Sequence, residues 1–140
     1  MNITEWTTAL RYRPYHLWDK EYTKTLEEQV QQSTWRLDFH IQPKSGLLND
    51  PNGFSYFNGQ WHLFYQAFPY GPVHGLKSLF HLTSDNLVDW QAEGVKLEPS
   101  TKYDSHGVYS GTALPIGEEL LLAYTGNVRD RDWNRFSYQM

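Results

Sequence analysis

Hydrophobic and polar positions change rhythm near residue 35. Upstream, Trp18, Tyr22, Leu26 and Val30 recur every fourth position, and residues 19–32 contain neither Gly nor Pro. At about 100° per residue each step drifts by about 40°, so the four side chains share an arc of about 120°. That is the buried stripe of an amphipathic helix, with Asp19 placed to cap it and Glu21 at the positive end of its dipole. Downstream, short apolar and aromatic runs are separated by turn residues. Residues 54–57 and 60–66 flank Asn58-Gly59, a pair that accepts the positive φ of a type I′ turn, and so predict a hairpin. Residues 79–84 predict the next strand, Asp85-Asn86 a turn, and residues 88–90 the approach to a further extended stretch. A second hairpin is expected from residues 108–114 and 120–124 around Pro115-Ile116-Gly117-Glu118, and another strand begins near Phe136. Short strands with turns every ~8–12 residues predict an all-β sandwich, barrel or propeller. No exact repeat is visible, yet the length accommodates two four-stranded units.

Composition narrows the function classes. The 140 residues suffice for one core-bearing domain, and 39% hydrophobic with 20% charged residues excludes a disordered chain. Absence of cysteine excludes a disulfide scaffold, a cysteine nucleophile and a thiolate zinc site. A net charge of -4 without a Lys/Arg cluster argues against a nucleic-acid partner. No apolar run approaches the ~20 residues of a membrane span, so no membrane partner is expected. The first residues lack the basic and apolar regions of a signal peptide, and with the missing cysteines this fits a cytoplasmic protein. The six histidines show no metal-ligand spacing, and no glycine-rich loop is built to cradle a phosphate. Neither a metal nor a cofactor is therefore expected. The aromatic share, 16%, suits strands and also supplies faces on which sugar rings lie. Because the chain stops inside an apparent strand, it reads as a fragment.

The densest candidate chemistry lies in residues 46–53. Asp50-Pro51-Asn52-Gly53 fits the positional preferences of a type I turn, and Leu47 and Leu48 would set Asp50 at the mouth of a buried strand. Gln66 and the run His40-Ile41-Gln42-Pro43 place polar groups among aromatic strands, where they need partners or a ligand. His74 and Lys77 read either as a solvated loop or as cations facing a phosphate.

These runs together resemble the invertase and fructan-hydrolase family. The resemblance is carried by His40-Ile41-Gln42-Pro43, Leu48-Asn49-Asp50-Pro51-Asn52-Gly53 and Leu63-Phe64-Tyr65-Gln66, in that order. Ser84-Asp85-Asn86-Leu87-Val88-Asp89-Trp90, residues 103–113 and Tyr124-Thr125-Gly126-Asn127 extend it over residues 35–130. The family's members are retaining glycosidases on a five-bladed β-propeller. The resemblance therefore implies an N-terminal helical extension over residues 1–34. Residues 35–140 would then form the first blade and part of the second, an incomplete N-terminal part of the catalytic propeller.

It also implies roles. Asp50 matches the nucleophile that forms a covalent fructosyl-enzyme. Asn49 and Gln66 match positions that bind fructose hydroxyls, and Tyr109 and Ser110 match a substrate-contacting pair. Leu47 and Leu48 stand where relatives commonly carry Trp-Met in the substrate pocket. The implied partner is a small sugar, sucrose or its 6-phosphate, because the helical extension and residues 72–78 resemble a bacterial, cytoplasmic branch. The family's acid/base Glu sits in a Glu-Cys motif and its stabilising Asp in Arg-Asp-Pro. The chain holds neither, since Arg129-Asp130-Arg131-Asp132 leads into Trp133 and comes too early. The fragment is expected to be inactive alone and able to self-associate. Two alternatives stay open. One is a non-catalytic fructoside-binding module that stacks sugars on Trp61, Trp90 or Tyr109. The other is an unproductive truncation.

Overall fold

The computed structural model describes residues 3–140. Among the described residues, seven strands form two antiparallel meanders. In the first sheet β1 (Leu47–Phe57), β2 (Gln60–Phe68), β3 (Ser78–Ser84) and β4 (Gln91–Leu97) lie side by side in chain order. In the second the order is β5 (Val108–Ile116), β6 (Glu119–Arg129) and β7 (Arg135–Gln139). Asn58 (φ 49°) and Gly59 (φ 81°) form the tight turn that joins β1 to β2, as the Asn-Gly pair demands. The leading strands of the two sheets, β1 and β5, face each other, and the Gly111 amide of β5 donates to Asn52 Oδ1 of β1 at 3.2 Å.

Period-2 alternation explains the layers. Phe64 of β2 and Leu79 of β3 point toward the second sheet and meet Val108 and Ala113 of β5, with Leu97, Leu120, Leu122 and Tyr124 around them. Tyr65, Ala67 and Leu82 point the other way, against Leu48, Leu63, Phe80 and Trp90. Each face of β2 is thus covered, which accounts for its nearly continuous apolar sequence.

The N-terminal segment clamps one end of the first sheet. It contains α1 (Thr8–Arg11), a 3₁₀ turn (Tyr15–Leu17) and α2 (Lys20–Gln31). Asp19 caps α2 as expected, its Oδ1 accepting the Glu21 amide at 2.9 Å. The stripe docks chiefly through Trp18, just ahead of the cap: it stacks on Tyr70 with ring centroids 4.2 Å apart, and Phe68 beside them is fully buried. Tyr15 donates to the Leu76 carbonyl at 2.9 Å and stands 2.9 Å from Ser78 Oγ. Burial pushes the Tyr15 hydroxyl well above its usual pKa, so it stays a neutral donor. Among the described residues no helix is long and apolar enough to cross a membrane.

Two expectations change. The first strand begins at Leu47, ahead of the residue 54 expected for it, and residues 35–46 form turns and bends with no ladder. The Gln42 side-chain amide closes one loop in this stretch, accepting from Leu37 N at 3.1 Å and donating to Leu37 O at 2.7 Å. Nor is Asp50-Pro51-Asn52-Gly53 a type I turn: it lies inside β1. The pairing with β2 slips between Asn49 and Pro51 and again between Asn52 and Ser55. Asp50 (φ 46°) and Gly53 (φ 61°) supply the left-handed residues of these two bulges. A Cβ at Gly53 would come within 2.9 Å of the Phe64 ring, so position 53 has room for glycine alone. Pro51 is tolerated because β1 pairs on one side only within its sheet.

A histidine pair links β2 to β3. His62 Nε2 lies 3.1 Å from the Phe57 carbonyl, which only accepts, so Nε2 carries the proton. His62 Nδ1 must then accept from His81 Nε2–H across 2.9 Å. Burial, and next the neighbouring His62, push His81 down to about 4 from 6.5. With the folded value below the unfolded one, the stabilisation is complete above pH 6.5 and is lost as pH falls through about 4. Thermal melts of wild type and His81→Phe should therefore diverge with acidification, the wild type losing more stability between pH 6.5 and 4. Parallel melting profiles of the two proteins would contradict this.

Candidate active site

The first bulge of β1 and the bulge of β5 meet. In β1 the extra residue is Asp50; in β5 the slip between Tyr109 and Gly111 leaves Ser110 unpaired. A bulged residue is released from the pleat and its side chain re-aimed. Here both turn into the seam between the sheets. Ser110 Oγ lies 3.4 Å from Asp50 Oδ2, and Gln66 Nε2 from β2 donates to the same oxygen at 3.1 Å and to Ser110 Oγ at 2.6 Å. Gln66 reaches this point because it pairs directly with Asn49 in the β1–β2 register. Asn49 Nδ2 donates to Gln66 Oε1 at 3.3 Å, and Lys77 Nζ donates in turn to Asn49 Oδ1. Asn52 fixes the bulge itself, Nδ2 donating to the Asp50 carbonyl at 2.9 Å while Oδ1 holds the β5 amide.

Burial is graded across this group. Gln66 and Lys77 are buried, Asn49 and Ser110 are half-buried, and Asp50 is exposed. A carboxylate held by donors at one oxygen and open to solvent elsewhere is oriented and free to meet a ligand. Lys77 is driven down to about 8 by burial, and the negative charge of Asp50 acts in the opposite direction. Tyr109, next to Ser110, has its hydroxyl pushed upward chiefly by burial, and the Arg135 guanidinium lies 6.0 Å from its ring centre.

Of the residues singled out in the sequence, Asn49, Asp50, Gln66 and Ser110 are thus brought into one hydrogen-bonded cluster, with Tyr109 on its flank. Leu47 and Leu48 are not in it. Leu47 packs with Trp18, Phe68 and Tyr70, and Leu48 with Tyr65, Ala67 and Leu82. His74 is exposed, but Lys77 is not the solvated loop residue its sequence context suggested: only 2% of its surface is accessible. The overlooked signal was period 2, since Lys77 stands two residues before Leu79 and so shares its inward face. Two other motifs turn out to shape the backbone. Asp104 is fully buried, accepting from Ser100 N, Thr101 N and the Tyr124 hydroxyl. Asn127 ties residues 106 and 107 to β6, its amide donating to the Gly107 carbonyl at 2.9 Å. A cavity of about 420 Å³ lined by Arg36, His40 and Trp90 is not lined by Asp50 or any of its partners. Among the described residues no group of three or more His, Asp or Glu is arranged to hold a metal ion.

The two antiparallel meanders are blade-like, and their leading strands present a carboxylate amid an amide and a hydroxyl. The family model described as glycosyl hydrolases family 32, N-terminal domain, matches residues 40–140, and the chain belongs to that family. That domain is a five-bladed propeller, of which the first sheet is one blade and the second sheet part of the next. The chain is 62% identical over 135 residues to a sucrose-6-phosphate hydrolase of Pediococcus pentosaceus, covering 96% of this chain and 27% of that protein. It superposes on the structure of sucrose-6-phosphate hydrolase from Lactobacillus gasseri with a TM-score of 0.92 at 50% identity, covering 96% of this chain and 28% of the other. A variant of the Bombyx mori family 32 β-fructofuranosidase, solved in complex with sucrose, matches at 35% identity and TM-score 0.65. That match covers 87% of this chain and 27% of the other. The chain thus spans little more than a quarter of the length of these relatives.

Buried Lys77 gives the site a direct electrostatic test. A lysine-specific NMR titration should place its midpoint near 8, well below the ordinary 10.5. Asp50→Ala should move that midpoint lower still, because the carboxylate is what raises it. An ordinary lysine titration, or a midpoint that rises in Asp50→Ala, would contradict the placement.

Proposed function

We propose that the complete protein is a β-fructofuranosidase that hydrolyses sucrose-6-phosphate or sucrose with retention. The observation that carries this reading is Asp50, an exposed carboxylate on a bulge with two donors converging on Oδ2. The opposite oxygen, Oδ1, attacks the anomeric carbon of the fructosyl unit as its bond to the glucosyl oxygen breaks, that oxygen leaving with a proton from the acid/base Glu; water, giving a proton back to the same Glu, then displaces Asp50 from the covalent fructosyl-enzyme. Donors on Oδ2 hold the carboxylate in one orientation and stop it from rotating away.

Asn49, Gln66 and Ser110 hold the fructose hydroxyls, with Tyr109 closing one side. Leu47 and Leu48 act from behind, by packing the strand that leads into Asp50. The acid/base Glu and the stabilising Asp belong to later blades, as the span of the relatives supports. Residues 1–34 serve as a helical extension and 35–140 as the first part of the catalytic propeller. A phosphorylated sugar does not cross a membrane unaided, so the phosphorylated substrate fits a cytoplasmic enzyme that needs no resident cofactor.

The 140-residue chain alone should show negligible release of reducing sugar from sucrose or its 6-phosphate. It should also self-associate in light scattering, because β7 and the aromatic pair Phe54 and Tyr56 are exposed. In the full-length protein Asp50→Ala should lower kcat/KM by about 10⁴-fold or more. Turnover by the isolated chain, or a full-length Asp50→Ala of near wild-type activity, would overturn the reading. Binding of fructose without any hydrolysis by the full-length protein would favour the sugar-binding module instead.

A further inference from the structure

A buried lysine whose ammonium meets an amide oxygen, and whose one charged influence is a carboxylate beyond that amide, calls for an explanation. Lys77 is 2% exposed, next to Ser78 and Leu79, which are more deeply buried still. An aliphatic side chain of similar length would fill the same space without the penalty of desolvating a charge. The order of donors and acceptors around it supplies a reason to keep it.

Asn and Gln amides are nearly symmetric in shape, and either end fits a given slot. For Gln66 the two ends have opposite consequences: turned one way it offers N–H to the Asp50 carboxylate, turned the other way a carbonyl oxygen that the carboxylate repels. Lys77 breaks this ambiguity at the far end. An ammonium has three donors and no acceptor, so Asn49 must present Oδ1 to it. Nδ2 of Asn49 then faces Gln66 and donates to Oε1 at 3.3 Å. That leaves Gln66 Nε2 for Asp50 Oδ2 at 3.1 Å and for Ser110 Oγ at 2.6 Å. With its oxygen accepting from Gln66, Ser110 directs its own proton to Asp50 Oδ2, 3.4 Å away.

We infer that Lys77 is a positioning residue, whose donor-only ammonium sets the direction of a hydrogen-bond relay through Asn49 and Gln66 so that every group facing Asp50 is a donor. The dipoles run head to tail from the positive end at Lys77 to the negative end at Asp50, and each bond polarises the next. Burial of Lys77 and Gln66 keeps water from substituting for either. Sugar hydroxyls entering the site then meet amides of fixed polarity, which is the condition for an oriented fructosyl ring. This inference rests on the reading of Asp50 as the reacting carboxylate.

The test compares Lys77→Met, which keeps the length and removes the donors, with Lys77→Arg, which keeps a permanent donor-only cation. In full-length protein labelled with ¹⁵N at Asn and Gln side chains, wild type and Lys77→Arg should show slow exchange of the Gln66 amide protons. Lys77→Met should show exchange faster by about tenfold or more, with an unchanged or higher melting temperature, since a buried charge has been removed. Turnover should follow the same order: kcat down about 100-fold in Lys77→Met with KM within about threefold, and recovered to within about tenfold of wild type in Lys77→Arg. Protected amides and full kcat in Lys77→Met, or equal impairment in both variants, would overturn the inference by showing a space-filling role. A wild type inactive on sucrose and its 6-phosphate, with the exchange pattern as expected, would overturn the fructosidase reading while supporting the relay.

Discussion

A left-handed backbone conformation costs a non-glycine residue about 1 kcal/mol, and Asp50 adopts it in the middle of a strand, at φ 46°. The site depends on that one departure. Regular pairing would point successive side chains of β1 to alternate faces and bind each backbone group into the ladder. The bulge lets Asn49 and Asp50, adjacent in sequence, serve one cluster: Asn49 stays in register with Gln66 while Asp50 turns into the seam. Asn52 offsets the conformational penalty by closing on the Asp50 carbonyl and by joining β1 to the second sheet through the Gly111 amide. The matching bulge at Ser110 brings the facing strand to the same point.

Precision at a carboxylate requires rigidity in what supports it, and the helical segment supplies some of this from a distance. Gln66 lies near the end of β2 and Lys77 just ahead of β3, the two strands being joined by residues 69–77. Tyr15 contacts the backbone on both sides of that connection, at the Ala67 and Leu76 carbonyls, and the Leu76 amide donates back to Arg11 O at 2.7 Å. Trp18, Phe68 and Tyr70 stack just beyond. The extension thus packs against the two strand ends from which the relay to Asp50 is built. Loosening it would be felt at the carboxylate with no direct contact between them.

Local chemistry made some of this readable. Asn58-Gly59 specified its turn, Asp19 its cap, and the alternation of β2 its two covered faces. The same local chemistry misled at Asp50-Pro51-Asn52-Gly53, because residues that favour positive φ and block a ladder bond suit a turn and a bulge equally well. Only pairing with β2 over the following 15 positions decides between them. Asn49, Asp50, Gln66 and Ser110 were recognisable through family resemblance, whereas their mutual geometry was not. Lys77 escaped for a related reason: its partner Asn49 lies 28 positions away, and only the two-residue spacing to Leu79 marks it locally as inward-facing. Leu47 and Leu48 show the reverse case, positions close to Asp50 in sequence that pack into separate cores.

The central claim is that Asp50 is the atom-level point of attack. Rapid acid quenching of the full-length protein during sucrose turnover, followed by peptide mass mapping, addresses it directly. One fructosyl unit should be recovered on the peptide containing Asp50, with fructose released in the retained configuration. A fructosyl unit on a different carboxylate, or inverted product with no adduct on any peptide, would contradict it.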